Sequence, residues 1–298
     1  MRHIHQSVVN PIVVNWHVTE ACNFRCRYCY AKWQQPDSKE VIRDSDETTA
    51  LVEALYAGFA KLAASGPPRL NFAGGEPLLH ASQVAIAMEK ARAIGFEVSL
   101  ITNGSRLTAD VAERIAPHLT MLGISIDATT SDTNEQIGRL DRRGAYLDLA
   151  GLIDRIALMR RINPSMTLKI NTVVNEANWQ EDLLPLITGL APARWKVLRM
   201  LPAVTDALAL NDEQFRAFVA RHRALDDIMC VEDNDNMVQS YIMVDPHGRF
   251  FQNRVVGAGY DYSPPIIDVG ARDAFGRMNW SAEKFASRYP HINIRTAA

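Results

Sequence analysis

Short apolar runs rich in β-branched residues alternate with longer amphipathic stretches along the first two-thirds of the chain. The pattern predicts strands near Val13–Thr19, Leu70–Gly74, Val98–Asn103, Met121–Asp127, Leu168–Val174 and Trp195–Met200. Helices are predicted near Asp46–Ala64, Ser82–Ile94, Ala109–Ile115, Tyr146–Ile162 and Trp179–Leu190, with Gly66, Gly95 and Gly189 where helix C-caps are expected. Strands alternating with helices imply a parallel sheet. The fold class is therefore α/β, a partial (β/α)6 barrel over residues 1–200, short of a closed (β/α)8 barrel. Residues 201–298 read as a C-terminal extension closing over the substrate site in the same structural unit. It holds a helix near Asp212–Leu225 and a hairpin across Tyr241–Phe251 that turns at Pro246-His247-Gly248.

Alternate residues of a strand face opposite ways. Asn15, His17 and Thr19 share one face of the first strand and Val14, Trp16 and Val18 the other. Arg69, Asn71 and Ala73 oppose Leu70 and Phe72; Lys169 and Asn171 oppose Leu168 and Ile170; Ser125 and Asp127 share a polar face. A closed barrel fills its interior with branched apolar side chains, whereas this one directs polar groups inward from four strands. Left unpaired in a core they would cost about 1–3 kcal/mol each. They imply a polar ligand or a water-filled, splayed edge.

Composition narrows the class. With 47% apolar and 22% charged residues the chain is of globular type, and 32 Lys+Arg against 34 Asp+Glu leave a net charge of −2. That balance argues against nucleic-acid binding by bulk charge. No apolar run reaches the roughly 18 residues a membrane span needs, and no secretory signal follows Met1-Arg2-His3. A cytoplasmic protein, monomeric and without nucleic-acid or membrane partners, is expected.

Three of the four cysteines, Cys22, Cys26 and Cys29, fall in a Cys-x3-Cys-x2-Cys run, and Cys230 stands alone. Such clustering suits a metal better than a disulfide framework. Three thiolates can hold three irons of a four-iron, four-sulfur cluster and leave the fourth open to a small molecule. Structural zinc with His17 as a further ligand, or plain buried cysteines, are the alternatives. A second motif, Asn71-Phe72-Ala73-Gly74-Gly75-Glu76-Pro77, ends the second strand. Its glycines permit close backbone approach to a ligand, although a tight turn explains them equally well. Both motifs follow strand C-termini, where barrel active sites lie.

Cys22-x3-Cys26-x2-Cys29 with Tyr28 before the last cysteine, followed by Gly74-Gly75-Glu76-Pro77, resembles the radical S-adenosylmethionine superfamily. A narrower resemblance, to the viperin family, runs over residues 10 to 290. It is carried by Asn15-Trp16-His17, Thr102-Asn103-Gly104, Ile137-Gly138-Arg139, Leu168-Lys169-Ile170-Asn171, Arg194-Trp195-Lys196 and Ser240-Tyr241. The resemblance implies a radical enzyme with a 4Fe-4S cluster and S-adenosylmethionine. It would dehydrate a ribonucleoside triphosphate, CTP first with UTP or GTP as alternatives, to the 3′-deoxy-3′,4′-didehydro analogue, a chain terminator in antiviral defence. An unidentified one-electron donor is implied as a partner.

The same resemblance implies roles for individual residues. Cys22, Cys26 and Cys29 ligate the cluster. Gly74, Gly75 and Glu76 hold the methionine amino end, with Ser125 and Arg139 on its carboxylate and Tyr28, Asn103 and Thr172 near adenosine. Asn15 and His17 border the ribose or base, with Asn71 and Asn171 close by. Arg69, Lys169, Arg194 and Lys196 take the triphosphate, and Tyr241 supplies a hydrogen or proton.

Physical chemistry supports the phosphate reading separately: a triphosphate needs several fixed cations, and Arg69, Lys169 and Lys196 share inward parity on three strands. The competing reading has these cations snorkelling to the rim or pairing with Asp127 or Asp245, and Tyr241 an ordinary hairpin tyrosine. Departures from the family are Ala73 in place of a serine and a loop, Asn253–Gly259, with Arg254 in place of a basic run. Ala31–Ser45 and the C-terminal tail are expected to order as lids over bound ligands. Rival functions are a radical enzyme acting on another phosphorylated molecule or a peptide, and a non-enzymatic iron–sulfur or zinc protein that binds nucleotide.

Overall fold

The computed structural model describes residues 12–33, 39–62, 66–254 and 257–287 of the 298-residue chain. Six strands form the parallel series the sequence implied: β1 (Val13–His17), β2 (Arg69–Ala73), β3 (Glu97–Thr102), β4 (Met121–Ser125), β5 (Thr167–Val174) and β6 (Arg194–Arg199). They lie in sequence order, each hydrogen-bonded to the next.

The C-terminal third does not stand apart from this sheet. β7 (Met229–Glu232) extends it in parallel beyond β6, and β8 (Ile242–Val244) pairs in parallel with β1 at the other side. β9 (Arg249–Asn253) and β10 (Tyr260–Pro265) then add antiparallel, giving the order β10-β9-β8-β1-β2-β3-β4-β5-β6-β7. The β8–β9 hairpin turns at the expected Pro246-His247-Gly248, where Asp245 Oδ1 accepts from the His247 and Arg249 amides. β7 and β10 are additions that the sequence pattern did not show: β7 has only four residues, and β10 carries Asp261 and Ser263 and ends in two prolines.

The helices follow the strands: α1 (Ser45–Phe59), α2 (Ala81–Ile94), α3 (Ala109–Ile115), α4 (Ser131–Ile137), α5 (Leu149–Ile162), α6 (Leu184–Leu190), α7 (Asp212–Arg221) and the one-turn α8 (Asn234–Met237). Side-chain caps fix several starts: Asp44 for α1, Thr108 for α3, Asp148 for α5 and Asn211, in a capping box with Gln214, for α7. Two boundaries depart from expectation. α6 begins at Leu184 instead of Trp179, because Asn178 spends its side chain on the Asn175 amide and the Asp127 carbonyl and holds this stretch as a turn. Gly189 lies inside α6, and the left-handed cap is Ala191 at φ 46°; Arg160 donates to the carbonyls of Leu190 and Ala191 there. Gly95 caps α2 as expected, and Gly66 has positive φ in the turn before β2.

Strand parity is as the sequence implied. Val14, Trp16, Val18, Leu70, Phe72, Leu168 and Ile170 join the helices in the main hydrophobic core. The polar members of each strand are left on the concave face. A second cluster of Ala31, Trp33, Met243, Phe251 and Tyr260 covers the β8–β10 end of that face.

Candidate active site

The cysteine loop is held from two sides by backbone bonds. Beyond β1, the Val18 amide donates to Ala73 O at 2.9 Å, Gly75 N donates to Thr19 O at 2.7 Å, and Glu76 N donates to Ala21 O at 2.9 Å. This lacing requires glycine: a Cβ at Gly75 would stand 2.3 Å from Ala21 O, and one at Gly74, whose φ is +147°, 2.6 Å from Thr19 O. On the far side Arg25 N donates to Gly138 O at 3.1 Å and Arg27 N to Ile137 O at 2.9 Å, so the end of α4 grips the loop. Cys22 is exposed and Cys26 and Cys29 half-buried. Cys22 Sγ accepts from Phe24 N at 3.4 Å and faces Asn103 Nδ2 at 3.9 Å. Burial pushes all three thiols up, Cys26 to about 12, and neighbouring thiols add to the shift at Cys22 and Cys26. Ligation to iron must therefore displace protons from them.

Glu76 anchors the next layer. Its fully buried carboxylate accepts from Leu78 N at 2.9 Å, Thr102 Oγ1 at 2.7 Å and Asn103 N at 2.8 Å. Burial raises its pKa against the pull of those three bonds. Asn103, beyond β3, is tied to the cysteine loop through Asn23 at 3.1 Å and to Ser105 at 2.9 Å. Arg139 donates to Ser125 O at 2.6 Å, to Asp127 Oδ2 at 3.1 Å and to the Tyr28 hydroxyl at 3.3 Å. The Tyr28 hydroxyl in turn donates to Asp127 Oδ2, and Asp127 Oδ1 accepts from Val173 N at 2.9 Å. Burial first, then the charge of Asp127, drives the Tyr28 pKa well up. Asp127 thus organises Tyr28 and Arg139, and Arg139 in turn meets the Ser125 carbonyl. The inward parity of Asp127 is legible in the sequence, and this role is not.

Thr172 departs from its expected place. Parity turns it away from Lys169 and Asn171, and its hydroxyl is committed to Ile126 O at 2.7 Å and Trp195 Nε1 at 3.0 Å. Its side chain belongs to the core between β5 and β6.

Deeper in the concave face, Asn15, Asn71 and Ser99 stand in register on β1, β2 and β3. Asn71 Nδ2 donates to Asn15 Oδ1 at 2.9 Å, and Ser99 Oγ donates to Asn71 Oδ1 at 2.8 Å. Arg69, at the start of β2, gives its guanidinium to Glu97 on β3 at 2.7 Å. Lys169 pairs in register with Arg194, and Asn171 with Lys196. Lys169 Cε lies against β4, 3.4 Å from where a Cβ at Gly123 would stand. Arg194 Nη2 donates to Cys230 Sγ at 2.9 Å.

Lys196 is paired, with a partner the sequence reading did not name. Its Nζ lies 2.7 Å from Glu232 Oε1 and donates to the Tyr241 hydroxyl at 2.7 Å, while that hydroxyl donates to Glu232 Oε2 at 2.5 Å. Asp127 and Asp245, the expected alternative partners of the lysines, instead hold Arg139 and Arg249. Glu232 was missed because β7 was missed.

Two buried polar atoms in this space have no hydrogen-bond partner among the described residues, Asn171 Oδ1 and His17 Nδ1. His17 is enclosed by Tyr30, Trp33 and Phe251 at ring separations of 5.8, 5.0 and 5.3 Å. Burial lowers its pKa to about 3, so the imidazole is neutral near pH 7. Arg254 lies at an exposed edge, 3.4 Å from Asp261. Of the expected lids, residues 34–38 and those from 288 onward lie outside the described residues; Val41 and Ile42 are core.

Residues 16–174 match the Radical SAM superfamily, a span holding all three clustered cysteines and Gly74-Gly75-Glu76. The chain is 40% identical to the S-adenosylmethionine-dependent nucleotide dehydratase of Pseudoalteromonas ulvae over 99% of its length and 98% of that protein's. The chain belongs to the radical SAM nucleotide dehydratases. The corresponding dehydratase of Psychrobacter lutiphocae is again 40% identical, over 98% of this chain and 99% of that one. The solved structure of anSMEcpe with bound AdoMet and Kp18Cys peptide shares the fold, with a TM-score of 0.68 and 14% identity over 93% of this chain and 83% of that chain.

Membership of the radical SAM superfamily brings a 4Fe-4S cluster and S-adenosylmethionine, and the residues present fit both. Three thiols on one clamped loop could hold three irons of such a cluster, with the Asn103 amide group facing Cys22 Sγ. The buried Arg139 guanidinium lies beside that loop, where an anionic cofactor group would find a cation.

Proposed function

We propose that this enzyme removes water from the ribose of a ribonucleoside triphosphate, CTP first with UTP or GTP as alternatives. The product is the 3′-deoxy-3′,4′-didehydro analogue, a chain terminator suited to antiviral defence. The observation that carries this reading is the alignment of Lys169, Arg194 and Lys196 on adjacent strands around the buried, unpartnered Asn171 Oδ1. Three cations on one concave face match a polyanion, and Asn171 offers an acceptor to a ribose or base.

When bound, the cluster and S-adenosylmethionine supply a carbon-centred radical able to take a hydrogen atom from the substrate. The chain's part is placement. Lys169, Arg194 and Lys196 hold phosphate, and Asn15, Asn71 and Asn171 border the sugar. Neutral His17, with its bare Nδ1, faces ribose or base within an aromatic wall. Arg69 is a peripheral contributor whose guanidinium must share itself between phosphate and Glu97. Gly74, Gly75 and Glu76 hold the cofactor's amino end and Ser125 and Arg139 its carboxylate, with Tyr28 and Asn103 near adenosine. Tyr241 supplies a hydrogen or proton late in the reaction. An external one-electron donor serves a monomeric cytoplasmic enzyme.

The test is anaerobic turnover of the reconstituted protein with S-adenosylmethionine, dithionite and each common ribonucleoside triphosphate, read by mass spectrometry. The expected product is lighter than one triphosphate by the mass of water and accompanied by 5′-deoxyadenosine. Deoxyadenosine with no altered nucleotide would overturn the substrate assignment and leave the superfamily intact.

A further inference from the structure

Glu232 is an acid among the cations of the phosphate site. It ends β7, the last strand on one side of the sheet, and is 2% exposed. Tyr241 stands immediately before β8, which belongs to the other side, next to β1. β7 and β8 are not hydrogen-bonded neighbours. The ring formed by Lys196, Glu232 and Tyr241 therefore spans the seam between the two margins of the parallel sheet, with all three contacts at 2.7 Å or less. The two carboxylate oxygens divide the work: Oε1 meets Lys196 and Oε2 takes the tyrosine hydrogen.

A carboxylate in this place has two electrostatic consequences. It neutralises the lysine that the phosphate requires, and it repels any phosphate brought to that lysine. Arg69 and Glu97 pair at the strand starts with side chains 18% and 33% exposed, whereas Glu232 is buried among the cations. We propose that Glu232 is a positioning residue with an exchangeable side and a fixed side. An incoming triphosphate displaces Oε1 from Lys196, while Oε2 goes on holding the Tyr241 hydroxyl at the seam. Occupancy of the phosphate site is thereby coupled to the geometry of Tyr241. Nucleotides with too few phosphates to reach Lys196 leave the ring closed.

This inference deepens the triphosphate reading and rests on it, so its test carries a control for that reading. Calorimetric binding of CTP, CDP and CMP is compared in the cluster-loaded, S-adenosylmethionine-bound protein and its Glu232→Gln variant, with an unchanged cluster spectrum as the folding check. Glutamine keeps the shape and removes the charge. Affinity for CTP is expected to rise about tenfold, the order set by deleting one like charge beside a bound anion, with little change for CMP. In turnover the variant shows a lower KM together with a lower kcat, and Glu232→Asp restores the weaker wild-type affinity. The gain for CTP shrinks when Lys196→Ala is combined with Glu232→Gln. If Lys169→Ala weakens CTP binding but Glu232→Gln leaves it unchanged or weaker, the exchange role is wrong and the phosphate site stands. If Lys169→Ala and Lys196→Ala both bind CTP like wild type, the phosphate reading itself fails.

Discussion

The two halves of the concave face handle polar groups differently. Beyond the ends of β1 to β4, the Glu76 carboxylate, the Asp127 carboxylate and the Arg139 guanidinium are each met by several protein partners. Across β5 to β7, the Glu232 carboxylate meets both Lys196 and Tyr241, and Asn171 Oδ1 has no hydrogen-bond partner among the described residues. A cofactor that is the same in every turnover can be met by a finished network, whose rigidity keeps reacting groups in place. A substrate that arrives and leaves is better met by groups whose present partner can be exchanged. The fixed half needs the glycines; the exchangeable half needs the charges.

The largest effect should come from the fixed half. Cys22→Ala is expected to abolish reductive cleavage of S-adenosylmethionine and to alter the cluster's electron paramagnetic resonance; retained cleavage would sink the ligand assignment. Gly75→Ala comes next. Its methyl group meets Ala21 O at 2.3 Å, so the loop carrying Cys22 has to move, and a displacement of this kind costs about a hundredfold in rate. Cleavage assays at matched iron content would show it, and a rate equal to wild type would mean that the lacing is dispensable.

Lys169→Ala probes the exchangeable half. Triphosphate affinity should fall roughly 30-fold or more, as for loss of one charge in a buried ionic contact, with the cluster spectrum untouched. Near neutral pH the smallest effect is on stability, and it grows on acidification. The folded pKa of His17 is lowered to about 3 from 6.5, so between those values the unfolded chain binds a proton that the folded chain does not. Stability is therefore fully present above pH 6.5 and falls on acidification, by about 1.4 kcal/mol per pH unit from this group. Urea titrations from pH 7 to 4 should show a shallower acid slope in His17→Gln, and identical slopes would place the imidazole in a wetter setting.

The difference between the halves also governs what the sequence could reveal. The fixed half was legible because its parts are local: three cysteines within one loop, a Gly-Gly pair after a strand, inward parity at Asn15, Asn71 and Ser125. Partners that depend on tertiary pairing were not. Asp127 lies on the right face, but only folding shows that it faces Arg139 and not a lysine. Glu232 sits in a short strand with intermediate burial at Met229 and Cys230 and exposure at Val231, which lacks the apolar alternation that betrays a strand. For Thr172 motif position and strand parity point different ways, and its hydroxyl follows parity, to Ile126 O and Trp195 Nε1. Gly189 was read as a cap because glycine favours that position, whereas Ala191 takes it with Arg160 covering the exposed carbonyls.

The pairing of β8 with β1 sets a schedule for the chain's birth. Asn15 Nδ2 donates to Ile242 O across 227 positions of sequence, so β1 has one edge completed only by a strand made much later. β2 to β6 can collect on β1 as they leave the ribosome, since each joins its predecessor. Until residue 242 emerges, the open edge of β1 is a template for a foreign strand, and His17 lacks the Phe251 wall that encloses it. Contacts of such long sequence separation form slowly. A nascent chain halted before β8 would carry the clamped cysteine loop and the lysines of β5 and β6 without the seam that Tyr241 closes, and would call on chaperones at that stage.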